Sequence, residues 1–258
     1  MSAGGRSPHL GQQRRSNGAR CHGDRRILRS ARCYRWRGQL QPLTMEPLPD
    51  LRASPGAERL VLAPVSPTVD RLRRAVGGSG ELANPHPEMP VSNAVRQRAK
   101  DAAVLVPFID SPEGLRLLVT RRHPGIRFGG HMCFPGGRVD PQDADPVAAA
   151  LRETSEEIGV APQTVEILGT YGQYFTQTGY RIVPVLGVLR EPEAARCSAE
   201  VESIHELDAA RVLSGEHYRV TWYGNGRGHV AYEEAEIRVA GPTVSLMIGL
   251  HRRLLERQ

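Results

Sequence analysis

Residues 137–160 read GRVDPQDADPVAAALRETSEEIGV, and the second half of that stretch decides how the chain is read. Arg152, Glu153, Thr154, Ser155, Glu156, Glu157, Ile158 and Gly159 follow one another there, downstream of a Phe134-Pro135-Gly136-Gly137 turn. On a helix, Glu153, Glu156 and Glu157 stand at i, i+3 and i+4, so three carboxylates share one face. Like charges that close repel one another and raise one another's pKa unless a cation sits among them. Hard oxygen donors at this spacing suit Mg²⁺ or Mn²⁺, the ions that organise phosphate chemistry.

A solvated acidic face would account for a bare run of glutamates. The flanking residues argue for more. Asp145-Pro146 supplies an N-cap followed by proline at the first helical position, which sets the helix start. Val147, Leu151, Thr154 and Ile158 recur at helical spacing and predict the face that packs on a core. Gly159 is the expected stop. Arg152 opens the acidic turn, where it is expected to hold a carboxylate in place rather than touch a substrate.

On these residues the stretch resembles the box of the Nudix hydrolases, G-x5-E-x7-R-E-U-x-E-E-x-G-U with U aliphatic. Those enzymes cleave a nucleoside diphosphate linked to another group. The second half matches at each fixed position, with Thr154 where an aliphatic residue is usual. The first half departs: Asp143 stands where the pattern has Glu, and the register to Arg152 is one residue longer. The resemblance implies a Nudix-type α/β/α sandwich with a mixed sheet over residues 98–258. It also implies Glu153, Glu156 and Glu157 as metal ligands, joined by the backbone carbonyl of Gly137. The base that takes a proton from the attacking water would be a box glutamate or a later carboxylate, for which Glu200 and Glu202 are the candidates.

The longer register resembles one branch of that family, the coenzyme A pyrophosphatases, whose upstream signature is L-L-T-x-R-[S/A]-x3-R-x3-G-x3-F-P-G-G. From Leu117 this chain reads LLVTRRHPGIRFGGHMCFPGG, matching at Leu117, Leu118, Arg121, Gly130 and Phe134 to Gly137. Val119, Arg122 and Ile126 depart from it, and Arg127 stands one place after the second arginine position. The resemblance implies cleavage of coenzyme A or its derivatives to 3′,5′-ADP and 4′-phosphopantetheine. Arg121, Arg127, Gly130 and Phe134 are then the expected substrate-binding residues. Two other readings stay open: a hydrolase of ADP-ribose or another nucleoside diphosphate derivative, and a Nudix-fold module that senses a nucleotide without cutting it.

Charge divides the chain unevenly. Residues 1–44 hold ten arginines and a single acid, Asp24, a formal +9 against +6 for the whole chain, so residues 45–258 carry −3. That first segment lacks apolar periodicity, and disorder is expected of it. Three origins are open for it: residues ahead of a native start at Met45, a mitochondrial transit peptide, or a basic arm for nucleic acid or anionic lipid. One lysine, Lys100, against abundant Arg, Ala, Gly and Pro suggests a GC-rich coding sequence, hence a bacterial, cytoplasmic protein. No run of apolar residues is long enough for a membrane helix. Four scattered cysteines point to free thiols in a reducing compartment. The expected partner is a small nucleotide, with no membrane and no nucleic acid, and a homodimer is left open.

Residues 45–97 are rich in Pro, Gly and Ala, with one amphipathic stretch at Val69 to Val76, and read as a leader that packs on the domain. Strands are predicted at Ala102 to Phe108, Leu115 to Thr120, Thr164 to Thr170 and Ile182 to Leu189. Pro184 predicts an edge or bulge position for the last of these. Further strands are expected at Val201 to Leu207, at Val220 to Tyr223 with His229 to Tyr232 around a Gly224-Asn225-Gly226 turn, and at Ile237 to Val239. A helix over Thr243 to Glu256 closes the chain, and an aromatic loop spans Tyr171 to Tyr180.

Overall fold

The computed structural model describes residues 33–35, 58–60, 62–85, 91–223 and 228–257. The predicted Gly224-Asn225-Gly226 turn lies outside the described residues, as do residues 1–44 apart from a strand, β1, at Cys33–Arg35. The leader contributes β2 (Glu58–Arg59) and two short helices, α1 (Val69–Ala75) and α2 (Asn93–Gln97).

Two long strands organise the domain. β3 (Lys100–Ser111) and β4 (Gly114–Arg122) form an antiparallel hairpin only near their turn, over Phe108↔Leu117 to Ser111↔Gly114. Beyond it they diverge, and each takes a different neighbour. β3 pairs with β6 (Gly136–Arg138), and β4 with β5 (Met132–Cys133). The divergence opens the sheet where the box helix enters. That helix, α3, spans Pro146–Ile158, capped by the Asp145 side chain at Ala148 N–H and ended by Gly159 at φ 68°. Here the local signals alone fixed both ends.

The other edge of β3 carries β9 (Tyr180–Leu189) in parallel, and β7 (Val165–Thr170) and β8 (Tyr174–Phe175) lie antiparallel beyond it. β9 is therefore an interior strand, contrary to the position that Pro184 predicts. The proline is tolerated because its outer neighbour changes there: β8 pairs Arg181 and Ile182, β7 pairs Val185 onward, and Pro184 falls in the gap. Its missing N–H removes no ladder bond on that side.

The other edge of β4 carries β10 (Val201–Asp208), with β1 outside it. After the short helix α4 (Ala209–Val212), β11 (Tyr218–Trp222), β12 (Gly228–Glu234) and β13 (Ile237–Ala240) form a meander that joins β5 through a parallel Val239↔Met132 pair. The chain closes with α5 (Gly241–Glu256).

Two apolar layers result. The smaller, under α3, contains Ala103, Leu105, Leu118, Ala149, Ala150, Ile158 and Ile204. The larger, under α5, gathers Val119, Met132, Phe134, Tyr171, Tyr232, Val239, Leu246 and Leu250, with Leu72, Ala75 and Leu82 from the leader. Helices on either side of a mixed sheet make this the expected α/β/α sandwich. Among the described residues no helix is long and apolar enough to cross a membrane.

Candidate functional site

The face that α3 buries is small. Ala149, Ala150, Thr154, Glu157 and Ile158 are its buried residues, while Val147 and Leu151 pack at the margin. Alanines bring the helix close to the sheet. Thr154 is accommodated at 0% exposure because its hydroxyl donates to the Ala150 carbonyl at 2.6 Å. Close packing also draws Glu157 inside, to 6% exposure.

Two glycines admit the carboxylates. Gly136 lies at φ 149° against β3, where a Cβ would overlap the Ala103 carbonyl and the Val104 backbone. A Cβ on Gly137 would occupy the space of the Glu153 carboxylate. The Gly136 N–H donates to Glu157 Oε2 at 3.1 Å, and the Arg122 guanidinium lies 3.6 Å from Oε1. Burial pushes the Glu157 carboxyl up to about 7; the Gly136 N–H and Arg122 oppose that rise, and the charges of Glu153 and Glu200 add to it. Burial likewise raises Glu153, against the opposing pull of Arg152.

Arg152 is the hub of the acidic turn. Its Nε and Nη2 donate to both oxygens of Asp143 at 3.0 Å each, Nη2 donates to the Arg138 carbonyl, and Nη1 donates to Glu153 and Glu156. Asp143 also accepts from the Asp140 N–H at 2.8 Å, and Arg152 holds its carboxyl below the usual range. The departure at Asp143 thus leaves a two-point clamp in place, with the shorter side chain reaching from one residue further away.

Strand alternation redistributes the expected substrate contacts. Arg121 pairs with Met132, which is buried in the α5 layer, so its side chain faces that way and donates to the Glu236 carbonyl at 3.4 Å. It also lies beside His205, whose imidazole is lowered to about 4 by burial and then by Arg121, and which bonds Ser203 at 2.7 Å. Arg121 is therefore not brought to the carboxylates, and Arg122 stands there instead. Phe134 is turned into the α5 layer instead: at 2% exposure its ring is core. Arg127 stacks over Phe128 at 4.8 Å, and its carbonyl accepts from Arg122 Nε at 3.3 Å. Gly130 is exposed at φ 77° and donates to the Arg122 carbonyl at 2.9 Å. Phe128 itself is 51% exposed at φ 59°, a conformation rare for a bulky side chain. A lone aromatic in a Gly-, Arg- and His-rich loop was the available signal for it.

Glu200 is exposed, its carbonyl accepts from the His123 N–H at 2.7 Å, and its charge reaches Glu157. Tyr171 and Tyr174 of the aromatic loop are buried, and Tyr171 donates to the Leu246 carbonyl. A concavity of about 460 Å³ beside α1, Asp110 and Arg190 shares no residue with this site.

Among the described residues, no three His, Cys, Asp or Glu side chains are gathered around one point that could hold a metal ion. Glu153 and Glu156 are instead bridged by Arg152. The donor set nevertheless fits a hard cation. It is all oxygen, the Glu153 carboxylate fills the space that glycine leaves at position 137, and Glu157 is a buried carboxyl that burial keeps raised even with Arg122 beside it.

A profile for the NUDIX domain matches residues 99–223. The uncharacterized Nudix hydrolase NudL of Escherichia coli SMS-3-5 is 38% identical over 133 residues, which span 50% of this chain and 69% of that protein. The K12 protein of the same description is 37% identical over the same length. The chain belongs to the Nudix hydrolase family. A Caenorhabditis elegans Ap4A hydrolase in a binary complex is 22% identical, covering 45% of this chain and 85% of that one, at a TM-score of 0.39. The NUDIX domain of Shewanella oneidensis NrtR, complexed with ADP ribose, is 20% identical, covering 63% and 93%, at a TM-score of 0.41.

Proposed function

We propose that this Nudix hydrolase is a metal-dependent pyrophosphatase acting on coenzyme A or its derivatives, releasing 3′,5′-ADP and 4′-phosphopantetheine or its derivative. The observation that carries the hydrolytic reading is the pairing of Glu153 and Glu157 around the Gly136-Gly137 turn, with Glu157 raised to about 7. A buried carboxyl so raised gains from a neighbouring cation. Glu153, Glu156, Glu157 and the Gly137 carbonyl would hold Mg²⁺ or Mn²⁺. Such an ion neutralises a pyrophosphate and makes bound water more acidic.

Each residue then has a task. Arg152, fixed by Asp143, orients Glu153 and Glu156. Glu200, exposed and with its charge reaching Glu157, would accept the proton of the attacking water. Water oxygen bonds one phosphorus, the P–O bond to the bridging oxygen breaks, and the leaving phosphate keeps the electron pair. Arg122 borders the same face, and the Arg127 carbonyl accepts from it. The coenzyme A assignment is supported by the Leu117 to Gly137 signature; Arg122 in place of a small residue, turned toward Glu157, favours ADP-ribose as the second reading.

Product analysis with Mg²⁺ or Mn²⁺ tests this, using coenzyme A, ADP-ribose and NADH, with Glu157→Gln as control. Release of 3′,5′-ADP from coenzyme A, lost in the variant, is the expected result. Cleavage of ADP-ribose alone would keep the chemistry and remove the coenzyme A assignment. Tight binding of a nucleotide with no turnover would favour the sensing module.

A further inference from the structure

The meander β11–β12–β13 buries one face only. Tyr218, Val220, Val230, Tyr232, Ile237 and Val239 point into the α5 layer. Alternation therefore turns Tyr223, His229 and Arg238 to the opposite face. That face is continuous with the carboxylate site, because β13 pairs with β5 and β5 pairs with β4. Across this join, His131 and Arg122 point the same way as Arg238. The His131 imidazole is lowered by burial, then by Arg238 and then by Arg122, so the charges of both guanidinium groups reach it. Arg122 in turn reaches Glu157 at 3.6 Å.

The residues of this wall are tied to one another. Arg238 donates to His229 Nε2 at 2.8 Å and to Glu233 at 3.1 Å. Arginine offers only donors, so His229 Nε2 accepts and its hydrogen lies on Nδ1, directed at Tyr223 Oη at 2.6 Å. The two rings stack at 5.5 Å and 26°, and Tyr223 remains 40% exposed. Glu233 and Glu157 are the carboxylates bound to the two arginines, one at each end. Between these ends the wall presents cations, imidazoles and one exposed ring.

We propose that this wall, whose His229 and Arg238 lie beyond the residues matched by the NUDIX profile, binds the nucleoside part of the substrate, with Arg238 and Arg122 holding a phosphomonoester that is not cut. Planar guanidinium groups recognise phosphate oxygens through paired N–H donors, and an exposed tyrosine offers a stacking face for a base. The inference rests on the nucleotide reading above and deepens it: a nucleoside with a second phosphate gains a contact that a simple 5′-nucleotide lacks. Arg238 is a binding residue and takes no part in bond cleavage.

Calorimetric binding of 3′,5′-ADP and 5′-AMP to the full chain tests this without turnover. The wild type is expected to prefer 3′,5′-ADP by about 10-fold or more, from one charge-assisted contact. Arg238→Ala should remove that preference, while Arg238→Lys, which keeps charge without the planar geometry, should retain part of it. Melting curves identify any variant that has lost its fold, in which case Arg238→Lys and Arg238→Gln decide. No preference in the wild type, or an undiminished preference in folded Arg238 variants, overturns the proposal. Coenzyme A hydrolysis on the same samples separates the two readings. An Arg238-dependent preference without hydrolysis removes the substrate assignment and leaves the wall standing. Hydrolysis with an Arg238-independent preference removes the wall alone.

Discussion

The two long helices flank the same sheet and are built on opposite principles. α5 buries Leu246, Met247, Ile248, Leu250 and Leu254 at 2% exposure or less, and each such side chain contributes about 1.5–3 kcal/mol of burial. α3 buries two alanines, a threonine, an isoleucine and a carboxyl. One helix stabilises the fold. The other accepts a poorly solvated acid at the point where chemistry is expected, as buried ionisable groups at functional sites commonly show.

Removing the acid should separate these roles most sharply. Glu157→Gln is expected to lower hydrolysis by about 10³-fold, the loss of roughly 4 kcal/mol of charge stabilisation, while the protein stays folded. A steady-state assay beside a denaturation curve measures both. Activity within tenfold of wild type would break the comparison. On the other helix, Leu250→Ala should cost about 2–5 kcal/mol of stability with kcat unchanged for the folded fraction.

The pH dependence of stability follows from the same contrast. Glu157 is raised in the folded state, so its contribution is intact below its ordinary pKa and is lost as pH climbs through about 7. The loss amounts to about 3 kcal/mol without metal. Denaturant titrations at pH 5.5 and 8 should show about 2 kcal/mol of it, the rest being lost below pH 5.5, and either Glu157→Gln or added Mg²⁺ should abolish it. His205 supplies the acid limb: its folded pKa of about 4 gives stability present near neutrality and lost as pH falls from its ordinary value through 4.

Smaller effects test the supports. Asp143→Asn breaks the two-point clamp on Arg152, and a 10–100-fold fall in kcat is expected, as for other residues that orient ligands. Thr154→Val exchanges a hydroxyl that already bonds within its own helix, so stability should change by no more than about 1 kcal/mol.

These effects also trace what the sequence made legible. α3 was readable because its cap, stop and carboxylate spacing are local and strong: Asp145, Gly159 and the i, i+3, i+4 glutamates need no distant partner. The longer strands were placed for the same reason, whereas the short β5, β6 and β8 carry no pattern of their own and were not. Which of Arg121 and Arg122 meets the carboxylates depends on which face of β4 is covered by α3, and that is a tertiary fact. Phe134 looked like part of a binding turn because its neighbours are, yet a ring beside a glycine turn can be drawn into the core. Pro184 was misplaced because its tolerance depends on two separate strands ending at the same point. The β13–β5 pairing, which brings Arg238 to the site, joins segments far apart in the chain and leaves no local trace.

The attachment of the leader to the final helix has a consequence in time. Arg71 donates to the Leu254 carbonyl, His251 to that of Ala63 and Arg257 to that of Val76, while Leu82 lies against Gly249. The first-made part of the described domain thus closes on the last-made part. A ribosome must release nearly the whole domain before that layer can form, so Leu72 and Leu82 spend synthesis without their final neighbours. The nascent chain should therefore resist protease only after α5 has emerged.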